Sequence, residues 1–171
     1  DAEAWYAAYE KKRPPVNFGA GFFYNAARLS LGIGQYTAAT KAQMERLRAM
    51  AEEALSNGAL GIGMSLEYAP GTSYGEVLSM AVVAVSRGVP VFFHVRYSDM
   101  EPPGTNIEAI IEVINASRAT GASIHIDHIT STGGTFSIEE TLRLINAARS
   151  EGLDITACAY PYPYWGTYLN S

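Results

Sequence analysis

The sequence predicts an α/β fold of parallel βα units, on three observations. A helix-opening capping box, Ser or Thr followed three places later by Glu or Gln, occurs at Thr40, Ser73, Thr105 and Ser137, with spacings of 33, 32 and 32 residues. Each helical run that follows ends at a glycine, Gly58, Gly88, Gly121 or Gly152, placed where a left-handed C-terminal cap would sit. Each glycine leads into a short apolar stretch, and a helix that returns the chain to another buried strand is the repeating unit of a parallel sheet.

The elements follow in order. "AEAWYAAYEKKR" reads as a first helix and "VNFGAGFF", residues 16–23, as a first strand. Thr40 with Gln43 opens "KAQMERLRAMAEEALSN", Ser73 with Glu76 opens "YGEVLSMAVVAVSR", Thr105 with Glu108 opens "NIEAIIEVINASRAT", and Ser137 with Glu140 opens "IEETLRLINAARSE". The strands between and after them are "ALGIGMSL", "VPVFFHV", "ASIHIDHI" and "LDITACAY", apolar runs of the kind covered on both faces. The strand-to-helix connections "EYAPGT", "RYSDMEPPG" and "TSTGGTF" are longer and richer in Gly and Pro than the helix-to-strand turns. They mark the edge where ligands gather in closed barrels and open sheets alike. A closed (β/α)8 barrel takes roughly 250 residues. This chain has 171, so the pattern fits either part of such a barrel or a complete five-stranded open sheet. A start without Met and an end at "YLNS" suggest a fragment.

Composition narrows the partners. A hydrophobic content of 48% suits a domain with a substantial core. The net charge of -5, with 12 basic residues scattered among 17 acidic ones, gives no footprint for nucleic acid or anionic lipid. Cys158 is the one cysteine, which excludes an intrachain disulfide framework and a cysteine-rich zinc module. No segment approaches the roughly 18 apolar residues of a membrane span, and "DAEAW" lacks the regions of a signal peptide, so a cytoplasmic protein with a small-molecule ligand is expected.

The three histidines are His94, His125 and His128. His94 and His128 fall at equivalent places, the C-terminal ends of neighbouring strands. Strand alternation puts His128 on the face of Ile124 and Ile126, with His125 and Asp127 on the other, so His125 is expected to be structural and the partner of His128 to be His94. Two imidazoles from adjacent strand ends suit Zn²⁺, although a catalytic zinc uses three protein ligands and composition offers no third. The alternative is a polar pocket in which both rings are simply hydrogen-bonded.

With "HVR", "IDHIT" and "YPY", the stretch "GALGIGMSLEYAPGT" resembles the N-acyl-D-amino-acid deacylase (D-aminoacylase) branch of the amidohydrolase superfamily, in register from about residue 16 to 168. The resemblance implies that residues 1–171 form one incomplete domain, about strands 3 to 7 of a (β/α)8 TIM-type barrel, without the first two and last strands. It implies that His94 and His128 are zinc ligands, and that Arg96, Tyr160 and Tyr162 bind substrate. The implied activity is zinc-dependent hydrolysis of an N-acyl amide by metal-activated water, an aspartate on the eighth strand passing the proton to the leaving amine. That aspartate has no counterpart in this sequence, so the catalytic residue is unassigned and the chain alone is expected to be inactive. Remaining barrel segments or another chain are the implied partners. Thr130 replaces the family's lysine, Asp127 its serine and Cys158 its aspartate in these motifs. Losing the lysine removes a point charge suited to a carboxylate and puts an acylated D-amino acid as substrate in question.

Other features are read more plainly. "YPYPYW" fits a rim loop that walls a pocket or packs on the barrel top, Glu67 fits either a bridging ligand or a loop residue, and "STGG" fits a lid or a turn. "GTSYGE" lacks the spacing and lysine of a phosphate loop, and no Ser, His, Asp order supports a triad. The competing function is a non-catalytic five-stranded α/β module that binds a ligand or partner.

Overall fold

The strands of the sheet lie in chain order, and that order decides its architecture. In the computed structural model, which describes residues 2–164, 166 and 167, the elements are α1 (Ala2–Glu10), β1 (Phe22–Phe23), α2 (Tyr24–Ser30), α3 (Lys41–Ser56), β2 (Ile62–Ser65), α4 (Tyr74–Arg87), β3 (Val91–His94), α5 (Asn106–Thr120), β4 (Ile124–Ile126), α6 (Ile138–Ser150) and β5 (Ile155–Ala157). All neighbouring strands pair in parallel, β1-β2-β3-β4-β5. Right-handed crossovers that always step in one direction put every helix on the same side of the sheet. A doubly wound open sheet reverses direction and covers both sides. The chain therefore has the architecture of a partial TIM-type barrel.

Burial follows the same division. Ile62, Met64, Val91, Phe93, Ile124, Ile126 and Ile155 point toward the helices and are buried. Their neighbours on the strands, Gly63, Ser65, Phe92, His94 and His125, face the other way and are only half-buried. Val77, Met80, Ala81 and Ala84 of α4 and Ala109, Ile110 and Val113 of α5 complete a single continuous core. At roughly 25 cal/mol per Å² of apolar surface, burial of this face is the main stabilising contribution.

Capping works as the sequence dictates at three helices. Thr40, Ser73 and Thr105 each accept the N3 backbone N–H while Gln43, Glu76 and Glu108 reach back to the cap. At α6 the box does not form: Ser137 Oγ donates instead to Asn106 Oδ1 at 3.0 Å and Glu140 pairs with Arg143. The four cap glycines all have positive φ. The first strand is shorter than expected, because Phe18 packs on Trp5 and Tyr9 of α1 and only Phe22 and Phe23 pair with β2. The short helix α2 was not signalled by a cap.

Glu76 also ties α2 to α4. Its carboxylate accepts from Arg28 and from the Tyr24 hydroxyl at 2.8 Å, both buried, and from the half-buried Ala39 N–H at 3.2 Å. Burial pushes this carboxyl up, but the Ser73 backbone, Tyr24 and Ala39 donors outweigh it and hold it below the ordinary value.

Candidate metal centre

The C-terminal ends of β2, β3 and β4 deliver a line of polar groups to one cavity. His94 is the last residue of β3, on the inner face with Phe92. His128 lies two residues beyond the end of β4 and has φ of 33°, a left-handed conformation rare for a residue with a side chain. Continued alternation would have put its ring beneath the helices with Ile124 and Ile126. The strand stops at Ile126, the left-handed turn reverses the side chain, and the ring meets His94 on the inner face. The turn is held by the His128 N–H donating to Cys158 Sγ at 3.2 Å and the Ser131 N–H donating to the His128 carbonyl at 2.9 Å.

His94 Nδ1 stands 3.1 Å from His128 Nε2, with the rings edge to face at 86°. On its far side, His94 Nε2 lies 2.6 Å from Glu67 Oε2. Burial raises the Glu67 carboxyl, but hydrogen bonds from His94 and Ser98 prevail and leave it below its usual range. An ionised carboxylate only accepts, so His94 Nε2 carries the proton and Nδ1 turns a lone pair toward His128. Burial, then the neighbouring His94, pushes the His128 imidazole down from 6.5, which favours its neutral, ligating form. His128 Nδ1 is buried with no hydrogen-bond partner.

This arrangement fits a cation. Two nitrogens bonded to one tetrahedral zinc at about 2.0–2.1 Å lie about 3.3 Å apart, close to the separation seen. Metal-binding histidines usually give their other N–H to a carboxylate, the position Glu67 holds. Glu67 is thus engaged with His94 Nε2, on the opposite side of the ring from His128. Two imidazoles remain one short of the three protein ligands of a catalytic zinc.

A cavity of about 760 Å³ opens over the pair, lined also by Tyr68, Ser98, Ser131, Thr132, Tyr160, Tyr162 and Tyr164. The three rings of "YPYPY" stack in sequence, with centroids 6.3 and 5.7 Å apart, and form one wall. Trp165, at the end of that run, lies outside the described residues. Arg96, expected to contact substrate, does not reach the cavity. Its guanidinium is spent on Glu112, with Nε and Nη2 at 2.8 and 2.7 Å, and on the carbonyls of Pro70 and Thr72. Burial works against its charge, yet Glu112 outweighs it and raises the Arg96 pKa further. The position two past a strand-end histidine reads as a site residue in sequence, but here it clamps the β2–α4 loop to α5.

His125 lies on the inner face of β4, and Asp127 follows directly after the strand, where its charge partly offsets the downward push on the His128 imidazole. Both meet Cys158: one donor atom from each of the three lies within 4.8 Å of the others. No signal in single motifs reveals this group, because it depends on the pairing of β4 with β5.

Fold and site together define a segment of a parallel (β/α) barrel with two histidines paired at its C-terminal edge. No protein-family model and no curated protein matches the sequence. Among solved structures, the chain is similar to N-acyl-D-glutamate deacylase from Bordetella bronchiseptica, crystallised with zinc and a phosphonate mimic of the tetrahedral intermediate. The TM-score is 0.83 and the identity 29%, over 95% of this chain and 34% of that one. It is also similar to D-aminoacylase, with a TM-score of 0.69 and 24% identity over 80% of this chain and 28% of that one. The likeness to L-hydantoinase from Arthrobacter aurescens, at 0.52 and 16%, is one of fold. The chain spans about a third of the length of these proteins. It is thus similar to part of N-acyl-D-glutamate deacylase and of D-aminoacylase, members of the amidohydrolase superfamily, the first of them crystallised with zinc. Among the described residues, no helix is long and apolar enough to cross a membrane.

Proposed function

We propose that this chain supplies the two-histidine half of a zinc site, and the aromatic wall of the adjoining pocket, in a barrel that hydrolyses N-acyl amides. The observation that carries the reading is the 3.1 Å approach of His94 Nδ1 and His128 Nε2, with Glu67 on the opposite nitrogen of His94. When bound, zinc supplies Lewis acidity and a lowered pKa for water. The work of the chain itself is to hold the lone pairs in place. Glu67 fixes the His94 tautomer, Ser98 steadies Glu67, and the backbone turn at His128 presents the second ring.

The pocket suits an acyl group. Its volume falls in the usual range for small-molecule sites, and Tyr160, Tyr162 and Tyr164 offer apolar faces with polar rims. Among the described lining residues there is no Lys or Arg. Recognition of an amino-acid carboxylate, as in an N-acyl-D-amino acid, therefore falls to tyrosine and serine hydroxyls or to residues outside this stretch. The remaining ligands and the proton-transferring carboxylate are assigned to other barrel segments or another chain.

The test is a zinc titration of the metal-free chain alongside His94→Ala and His128→Ala, combined with a hydrolysis assay on N-acetylated D- and L-amino acids. The reading requires one zinc-binding event that either substitution abolishes, whatever zinc is held elsewhere, and no turnover above background by the chain alone. Zinc binding indifferent to both substitutions contradicts it.

A further inference from the structure

We infer that His125, Asp127 and Cys158 form a second cation site, selective for a thiophilic divalent ion such as Zn²⁺ or Co²⁺, whose donor side chains are distinct from His94 and His128, Cys158 Sγ also accepting the His128 backbone N–H at 3.2 Å. The β4–β5 register sets the juxtaposition. His125 pairs with Thr156 and Ile126 with Ala157, so one step further Asp127 stands beside Cys158. Asp127, one residue past the end of β4, still donates its N–H to the Phe93 carbonyl of β3 at 2.9 Å, and its carboxylate comes within 3.9 Å of the His125 ring. Backbone bonds continue the pairing past the strands, from the Cys158 N–H to the Ile126 carbonyl at 3.0 Å and from the Ile129 N–H to the Cys158 carbonyl at 2.9 Å. The donors thus sit on a paired and hydrogen-bonded backbone rather than on free loops.

The approach of His125 to Asp127 is the second observation: Nε2 and Oδ1 face one another 3.9 Å apart, beyond hydrogen-bond distance. Thr156 Oγ1, 2.8 Å from His125 Nδ1, engages the other ring nitrogen and leaves Nε2 as the one turned toward Asp127. A cation placed between them satisfies both, and Cys158 Sγ completes a nitrogen, oxygen and sulfur set. Ligand atoms around a tetrahedral zinc stand roughly 3.3–3.7 Å apart, so the three donors, within 4.8 Å of one another, must close by up to about 1 Å. The Cys158 thiol gives its proton to solvent on coordination. A carboxylate-only site would favour Mg²⁺ or Ca²⁺, whereas sulfur and imidazole donors favour zinc and its spectroscopic substitute cobalt. Three protein donors leave the fourth position open toward the inner face.

The test is titration of the metal-free chain with Co²⁺, read by the near-ultraviolet sulfur-to-cobalt charge-transfer band. Cys158 is the one cysteine, so the band reports this site alone. The expected result is a saturable band that is lost in Cys158→Ser. It should shift to at least about tenfold higher Co²⁺ concentration in His125→Gln and Asp127→Asn, and by about tenfold in Thr156→Val, which removes only the partner of Nδ1. It should persist in the His94→Ala, His128→Ala double variant, which separates this inference from the proposed function. Absence of the band in the parent chain overturns the inference. So does a band unchanged by His125→Gln and Asp127→Asn, or one lost with His94 and His128 while His125→Gln leaves it intact. Circular dichroism confirms that each variant scored is folded.

Discussion

Glu67 Oε2 lies 2.6 Å from His94 Nε2, on the side of the ring opposite His128. This contact engages Nε2 and leaves Nδ1 as the nitrogen that faces His128, and the proposed zinc site makes Glu67 a positioning residue. Glu67→Gln leaves a partner that can present either its oxygen or its amide to the ring. The expected result is a loss of about 10–100-fold in zinc affinity with the stoichiometry unchanged, measured by competition with a chromophoric chelator. An unchanged affinity removes Glu67 from the account.

Arg96 should behave as a structural residue. Arg96→Ala leaves Glu112 without its partner and frees two loop carbonyls, and is expected to destabilise the chain by about 3 kcal/mol in urea unfolding. Arg96→Lys cannot reproduce the forked contact with both Glu112 oxygens and should recover little of that loss. Zinc affinity should be preserved in whatever fraction stays folded.

Glu76 sets the acid limit of stability. Its carboxyl is held below 4.5 in the folded chain and returns to the ordinary value on unfolding, so the unfolded state binds the proton more tightly. Its contribution is therefore fully present above pH 4.5 and is lost as the pH falls through the lower folded value. Glu67 adds to the slope in the same direction. Glu76→Gln should cost about 3–5 kcal/mol at neutral pH, because Arg28 is left charged and buried. It should also flatten the acid limb of stability against pH, followed by the urea midpoint.

The caps give a sharper contrast. Thr105 forms both halves of its box, so Thr105→Ala together with Glu108→Ala should cost about 1 kcal/mol or more. Glu140→Ala at α6 breaks only an exposed pair with Arg143 and should change stability little in the same assay.

Much of the scaffold was legible in the sequence because it is local. A capping box, a glycine with positive φ and a β-branched run each act within a few residues, so Thr40, Ser73 and Thr105 could be placed without knowing the tertiary fold. Ser137 failed for a non-local reason: Asn106, on the preceding helix, takes its hydroxyl. The pairing of His94 with His128 was legible from equivalent positions at strand ends, but the reason offered for the orientation of His128 was not. Alternation assumes an unbroken strand, and the left-handed backbone at His128 breaks it. Arg96 shows the opposite limit, since a motif position names a residue without saying whether a neighbour such as Glu112 has already consumed it. The grouping of His125, Asp127 and Cys158 depends on register between strands, which a single sequence does not display.

The central claim is that His94 and His128 present two lone pairs to one cation. Isothermal titration of the metal-free chain with zinc, repeated on His94→Ala, His128→Ala and Cys158→Ser, tests it most directly. The account predicts a binding event lost in each histidine variant and retained in Cys158→Ser. Zinc binding retained in both histidine variants and lost only with Cys158 would contradict it.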